Sequence, residues 1–494
     1  MTLVVTAKEM QRIEKLAFEA GESGRDYMET AGREIAAVLE KELITPSAEF
    51  HIHLLVGKGN NGGDAFVAGY HLLKKGFDVT AHHLAPLDEC SPLCEEMGAR
   101  FKKNGGKLDQ ISHTPQFNEK GIIVDGLTGT GFEGAAKGAL AETIEAANQA
   151  HLPCYAIDIP SGLNGNTGEV ETLAIKADAT LYLALPKIGF FQGQGWDHVG
   201  ELIPIDFGMP EKFLHKAKSV ARIESKQSYV GKLPPIKRTR HKYQAGYLLA
   251  VAGSPGMSGA ALLSSYSALK TGTGIVRLFY PKEMEGELAN APYELIKESW
   301  DLSDDARITE EAKRAKALIV GPGIGRSDKT HKALRTLLAK TTLPTVIDAD
   351  ALYFLSIDPE MNLPDKTVLT PQTQEMERIL GKPPTLAHCQ EYVKEKGVTL
   401  VLKGAPTFLF HPHTQPLIIP YGDPGMATAG TGDVLTGVIG SMLAQGLSPN
   451  EGASLGVLLH ALAGEIAAER ESSFGMTATD LLHSLPEAIL ALIK

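Results

Sequence analysis

A chain of 494 residues exceeds what one ordinary hydrophobic core serves, so two domains of unequal size are expected. With 43% hydrophobic and 22% charged residues, and no apolar run as long as a membrane span, the composition excludes a disordered or membrane-spanning protein. A formal net charge of −11 without a long basic tract argues against nucleic acid as a partner.

Residues Met1 to Met10 carry Lys8 and Glu9 but no apolar block with a small-residue cleavage site, so a cytoplasmic chain is expected. Four cysteines, Cys90, Cys94, Cys154 and Cys389, form neither a disulfide framework nor a metal spacing, and are expected to be free thiols. From Lys8 to Glu42, Met10, Ile13, Leu16 and Ala17, then Ala31, Ile35, Val38 and Leu39, recur at helical intervals. A break at Gly21 to Gly24 divides them into two helices.

His51 to Val56 reads as a strand, Gly57 to Gly63 as a loop, Ala65 to Lys75 as a helix and Phe77 to Leu84 as the next strand. This is a βαβ unit whose loop lies where open α/β sheets bind ligands. The loop Gly57-Lys58-Gly59-Asn60-Asn61-Gly62-Gly63-Asp64 fits neither the dinucleotide fingerprint nor the Walker motif. Its asparagines and glycines let backbone and carboxamides converge on a polar ligand, although an Asn-Gly turn with no ligand has the same look.

Further strands are expected at Gly121 to Asp125, Cys154 to Asp158 and Ala179 to Ala184. The first two end in aspartate, which delivers a carboxylate to the ligand crevice or serves as a buried cap. Oxygens from Asn61, Asp125 and Ser161 suit a hard cation. After Asp125, the turn Gly129-Thr130-Gly131-Phe132-Glu133-Gly134 can hold a phosphate on backbone amides.

A polar stretch, Pro210 to Pro235, separates the halves. Domains are therefore expected at 1–215 and 236–494, with 216–235 as linker. A second α/β cycle follows, with strands at Tyr247 to Ala252, Gly274 to Tyr280, Ala317 to Val320, Thr345 to Asp348, Thr367 to Leu369 and Thr399 to Leu402, and a helix over Ala260 to Lys270. Gly430-Thr431-Gly432-Asp433, expected between a strand and the helix Asp433 to Gln445, sets an aspartate beside backbone N–H groups free to face an anion. A helix capped by aspartate after a glycine turn is the bland alternative.

On Met28-Glu29, Ala31-Gly32, Asn60 to Asp64, Asp125, Gly129 to Ala135 and Ile157 to Gly162, the first half resembles the NAD(P)H-hydrate epimerases. The resemblance implies a Rossmann-like three-layer αβα domain. It implies hydrate contacts from Asn60, Asn61, Gly62, Gly63, Asp64, Gly129, Thr130, Gly131, Phe132, Glu133, Gly134, Ala135 and Asp158. It also implies potassium on Asn61, Asp125 and Ser161, with Asp158 as acid/base. Animal members place a lysine after the strand following the first loop, where this chain reads His82-His83-Leu84-Ala85-Pro86.

On His241-Lys242, Gly253-Ser254, Gly259-Ala260, Gly321 to Gly325, Asp348-Ala349-Asp350, Leu369 to Pro371, Lys403 to Thr407, Gly430 to Asp433 and His460, the second half resembles the ribokinase-like NAD(P)H-hydrate dehydratases. That implies ADP on Lys403, Gly404, Ala405, Pro406, Thr407 and Gly432. It implies hydrate contacts from Ala260, Gly323, Gln372 and Asp433, with Asp433 as base and magnesium bridging the phosphates. Gln372 stands where the family has histidine, and Glu375 keeps an indirect magnesium role.

Together the resemblances imply a bifunctional repair enzyme acting on NADHX and NADPHX with ADP, in a homo-oligomer. The alternatives are a vitamin-precursor kinase fused to a ligand-sensing module, which Gln372 favours, and a non-catalytic nucleotide-binding protein.

Overall fold

The computed structural model describes residues 1–42, 50–112, 114–117, 120–301 and 306–493. The chain divides into two compact units, Thr2–Ala221 and Arg222–Lys494, the second also counting Met1. Both are α/β, as expected. Within the expected linker, 216–235, Arg222 and Ile223 pair with Leu417 and Ile418, and Tyr229 is fully buried in the second unit's core.

The first unit is built on a seven-stranded sheet. Edge to edge its strands are Lys107–Gln110, Asp78–His83, His51–Val56, Gly121–Gly126, Cys154–Ile157, Ala179–Leu183 and Glu201–Ile205, all pairs parallel. Burial on both faces makes the central strands continuous apolar runs. From His51–Val56 the chain runs outward to one edge and then returns to Gly121–Gly126 on the other side. The order therefore reverses between these two strands, and their carboxyl ends open the ligand crevice of a doubly wound sheet.

Close backbone approach shapes that crevice. A Cβ on Gly57 would sit 1.8 Å from the Leu127 carbonyl oxygen, so the loops leaving the two strands touch through their main chains. The helix there is Asn60–Lys74, one turn longer at its start than expected. Asn60 to Gly63 are thus helical rather than loop. Gly62 and Gly63 fit because a Cβ on either would strike Gly57 or Met28. Gly32 likewise accommodates Val67, so helices Gly24–Glu42 and Asn60–Lys74 press together along the Met28 and Gly32 positions.

The second unit's sheet runs Thr414–Ile419, Thr407–His411, Thr399–Leu402, Thr367–Leu369, Thr345–Ile347, Ala317–Val320, Tyr247–Val251, Ile275–Pro281 and Ile296–Trp300. It is parallel except for the meander over Thr399–Leu402, Thr407–His411 and Thr414–Ile419. Its order reverses at Tyr247–Val251, beside Ala317–Val320, and there the Gly253 N–H donates to the Pro322 carbonyl at 2.8 Å. Gly321, at φ +126°, has no room for a Cβ, which would lie 1.8 Å from the Asp348 carbonyl oxygen. The Gly430 site corrects the expectation of a preceding strand. Thr431 opens helix Thr431–Ala444 directly, and a short turn, Pro424–Met426, precedes it.

Helix Thr431–Ala444 packs on Ser258–Lys270 at Gly437, where a Cβ would come 2.0 Å from both the Ser264 carbonyl oxygen and the Ser267 Oγ. Gly437→Ala should therefore destabilise the second unit by about 1–3 kcal/mol through overpacking. Denaturant unfolding checks this, and an unchanged midpoint would refute the close approach.

Candidate active sites

In the first unit, the two strand-end aspartates take different environments. Asp125 is fully buried: its Oδ1 accepts from Ser161 Oγ at 2.6 Å and Leu127 N at 3.1 Å, and its Oδ2 from Ser161 N at 2.8 Å. Burial still outweighs these bonds and raises its carboxyl to about 6. Asn61 Nδ2 donates to the carbonyls of Thr128 at 2.6 Å and Ile157 at 3.0 Å, and Thr128 N donates to Ser161 Oγ at 2.9 Å. Asn61, Asp125 and Ser161 therefore form one knot of hard oxygen donors. Among the described residues Asp125 has no cationic partner. A monovalent cation fits this donor set and would offset the buried charge.

Asp158 sits just past its strand at φ +63°, a left-handed conformation unusual outside glycine. That twist aims its carboxylate at the next strand's exit, where Oδ1 accepts from Leu183 N at 3.1 Å and pairs with Lys187 Nζ. Lys187 is fully buried and also donates to the Leu183 carbonyl at 3.0 Å. The animal-type lysine is absent from His82 to Pro86, yet a lysine reaches the strand-end carboxylate from this other strand.

A cavity of about 580 Å³ lies over these groups. Of the expected hydrate contacts, Asn60, Asn61, Asp64, Gly129, Thr130, Gly131, Phe132 and Asp158 line it. Gly62, Gly63, Glu133, Gly134 and Ala135 do not: the first two serve helix packing, and Glu133 pairs with Lys8 at 2.9 Å on the surface. Sequence reasoning missed two residues here, Lys187 and Glu14. Glu14 enters the cavity from helix Ala7–Glu19, on the face shared by Met10, Ile13 and Ala17. Burial, then the nearby Asp158 charge, raises its carboxyl to about 7, against a smaller opposite pull from Lys187. Asp64 is driven well above the ordinary carboxylate range by burial, then by Asp158 and Glu14.

In the second unit, Asp348 is the centre of the site. Its Oδ1 accepts from Lys403 Nζ at 2.8 Å and its Oδ2 from Thr436 Oγ1 at 2.6 Å, joining a strand end, the Lys403 turn and helix Thr431–Ala444. Asp348 was not among the expected site residues, although its strand-end position carries the same signal as Asp125. Desolvation opposes the charge on Lys403, but Asp348, Glu375 and Asp433 together hold its affinity for a proton above that of a free lysine. Asp433 is raised to about 7, by burial first and by Asp348 second, with Lys403 working the other way. His460 Nε2 meets the Thr431 carbonyl at 2.8 Å, and burial lowers the ring to about 4, so it sits there neutral.

Gly432 lies under the Lys403 ammonium, 3.5 Å from where a Cβ would stand, and Gly323 abuts Ala260 at 3.1 Å by the same measure. Thr407 Oγ1 donates to the Gly404 carbonyl at 3.1 Å, closing the turn 403–407. Gln372 forms a β-bridge with Lys403 and donates its N–H to Glu375 Oε2 at 2.7 Å, so Glu375 caps its own helix from beside the site.

Residues 24–189 match the family described as YjeF-related protein N-terminus, and residues 248–487 the family described as NAD(P)H-hydrate dehydratase. Nearly the whole chain is similar to proteins named bifunctional NAD(P)H-hydrate repair enzyme. That of Moorella thermoacetica is 37% identical, with 98% of this chain and 96% of that protein aligned. That of Coxiella burnetii is 31% identical over 98% and 99%, and that of Escherichia coli 33% over 89% and 85%. A solved ribokinase-like superfamily protein from Enterococcus faecalis superposes with a TM-score of 0.51 at 27% identity, covering 55% of this chain and 96% of its own.

The raised carboxyl of Asp433 has a measurable consequence. The folded chain keeps a proton there that the unfolded chain releases near pH 4, so this group's contribution to stability falls as pH rises from about 4 to about 7. Asp433→Asn removes that penalty, so its melting temperature relative to wild type should climb between pH 5 and pH 8. A difference that stays constant across those pH values would contradict the buried, raised carboxyl.

Proposed function

The chain belongs to the bifunctional NAD(P)H-hydrate repair enzymes, and on that premise we propose a division of labour between its units. The first interconverts the R and S hydrates of NADH and NADPH; the second dehydrates the S form at the expense of ADP, giving AMP and phosphate. The observation that carries the second assignment is Lys403, a half-buried ammonium held charged by Asp348 beside an Asp433 whose carboxyl is raised to about 7. A cation to meet phosphate and a base to meet a hydroxyl thus lie at one helix N-terminus.

Hydroxide leaves C6 poorly, so the hydroxyl is first made into a phosphate ester. Asp433 takes the hydroxyl proton as oxygen attacks the terminal phosphorus of ADP and the bond to AMP breaks; the C6–O bond of the ester then breaks to release phosphate, and a C5 proton passes to water as the C5=C6 double bond closes. Lys403 and the N–H groups from Gly430 to Gly432 stabilise the charge gathering on the transferring group. In this reading Lys403, Gly404, Ala405, Pro406, Thr407 and Gly432 hold ADP, and Ala260, Gly323, Gln372 and Asp433 face the hydrate. Magnesium would be held indirectly, on the side of Glu375, where it would supply charge neutralisation to the phosphates.

For the first unit, Asn60, Asn61, Asp64, Gly129 to Phe132 and Asp158 hold the hydrate, with Asp158 as acid/base. Asn61, Asp125 and Ser161 would hold potassium, which would fix the two loops they tie together. No helix among the described residues is long and apolar enough to cross a membrane. We infer a cytoplasmic, homo-oligomeric enzyme.

Mixed NADH hydrates supplied with ADP and magnesium should return completely to NADH, read by absorbance in the reduced nicotinamide band. Recovery that stops once the S form is spent would remove the epimerase role. Asp433→Ala should lower dehydration by about 10²–10⁴-fold, the usual worth of a general base, and leave epimerisation intact. Full dehydration by that variant would sink the assignment. Exchanging potassium for tetramethylammonium should slow epimerisation in wild type but not in Asp125→Asn, and equal sensitivity in both would move the cation elsewhere.

A further inference from the structure

Glu14 and Asp158 enter the first cavity from separate elements, one from helix Ala7–Glu19 and the other from the carboxyl end of strand Cys154–Ile157. Asp158 is anchored by Lys187 and by the Leu183 amide. Glu14 has no such anchor: among the described residues its carboxyl makes no hydrogen bond or salt bridge. A half-buried carboxyl that lines a cavity and lacks a partner is free to exchange a proton with whatever the cavity holds.

We propose that Glu14 and Asp158 are an acid–base pair for epimerisation, one protonating the hydroxyl that leaves C6 and the other deprotonating the water that replaces it on the opposite face. This rests on the reading of the first unit as a hydrate epimerase.

The hydrated carbon bears both the hydroxyl and the ring nitrogen, so its C–O bond breaks with help from that nitrogen. The C6–O electron pair goes to oxygen, which takes the proton of Glu14 and departs as water, while the N1 lone pair closes an N1=C6 double bond. A second water then gives an oxygen lone pair to C6, the N1=C6 pair returns to N1, and Asp158 takes the proton released. Water is the only co-reactant. The pair ends with its proton on Asp158, and exchange with solvent restores Glu14. The reverse inversion runs with the roles swapped, as microscopic reversibility demands, so the competent state holds one proton between two carboxyls.

The surroundings support that state. Glu14 faces Asp158, Lys187 and the fully buried Asp64, with Tyr27 and Lys58 also on the cavity wall. Burial and the Asp158 charge raise the Glu14 carboxyl to about 7, so near neutral pH it both holds and gives up a proton.

The test uses the full-length chain and the isolated R hydrate of NADH in H₂¹⁸O, with the epimers separated chromatographically. Glu14→Gln should lower epimerisation by about 100-fold or more, while dehydration of the pure S hydrate stays at the wild-type rate. Glu14→Asp should recover part of the loss. In wild type, each inversion above the uncatalysed background should place one solvent oxygen at C6. Epimerisation should fall as pH rises above about 7, a limb that Glu14→Gln loses and a packing role would not move. An epimerising wild type with an undiminished Glu14→Gln, or one whose product keeps its original oxygen, overturns the pair alone. A wild type that leaves the R hydrate untouched overturns the epimerase reading and the pair with it.

Discussion

A lysine removed from water needs a carboxylate, and each unit meets that need with an aspartate at the end of a parallel strand. Lys187 is held by Asp158, and Lys403 by Asp348. The desolvation involved is several kcal/mol per ion, and losing one partner of such a pair costs about 3–5 kcal/mol because the other charge is stranded. Neither pair is therefore explained by stability alone, since apolar residues of similar volume would serve a core as well. What each pair does is fix a charge at the carboxyl end of a strand beside the reversal, and it adds to the effect of burial on the titratable groups around it. Burial raises Glu14 and Asp64 in the first unit, and the nearby Asp158 charge raises them further. Burial likewise raises Asp433 in the second, with the Asp348 charge adding to it and Lys403 opposing it.

The two crevices use these charges for different ends. In the first, two carboxyls whose affinity for a proton burial has raised share a cavity with the lysine-paired Asp158, an arrangement that moves protons on and off a neutral hydroxyl. In the second, an ammonium paired with Asp348 lies against a helix N-terminus, an arrangement that receives phosphate oxygens. Glycine supplies the close approach in both. At Gly57 and Gly321 a neighbouring carbonyl occupies the place of a Cβ, so the loops after adjacent strands are joined through their main chains rather than through side chains.

Much of this was legible in the sequence because its signals are local. An apolar run that stops at aspartate announced Asp125 and Asp158, and the glycine-rich loops announced the crevices. What escaped depends on contacts across the fold. Lys187 follows Leu183 by four residues and reads as a surface lysine until the left-handed turn at Asp158 brings the carboxylate to it. Glu14 lies on the buried stripe of its helix, a placement visible in the spacing, but which cavity that stripe faces is a tertiary matter. Helix Pro449–Glu471 was overlooked because it is apolar on every side, with Leu455, Leu458, Leu459 and Leu462 all buried, and so lacks the one-sided pattern that marks an amphipathic helix. The meander Thr407–His411 and Thr414–Ile419 was hidden behind the Lys403 turn, whose motif drew attention to itself alone.

Gln372 stands where the sequence resemblance leads one to expect histidine, and its surroundings are held by the main chain. Its backbone still bridges to Lys403 and its N–H still binds Glu375, so neither the cap nor the lysine's placement depends on an imidazole. The main chain fixes the geometry here, and the side chain is left to interact with whatever occupies the site. A carboxamide cannot titrate, whereas histidine changes charge near neutrality. With glutamine at 372 and His460 held neutral by burial, the carboxyls whose affinity for a proton is raised here are Asp433 and Glu375, each by burial first. Glutamine at 372 thus leaves the pH response of the site to carboxyls rather than to an imidazole.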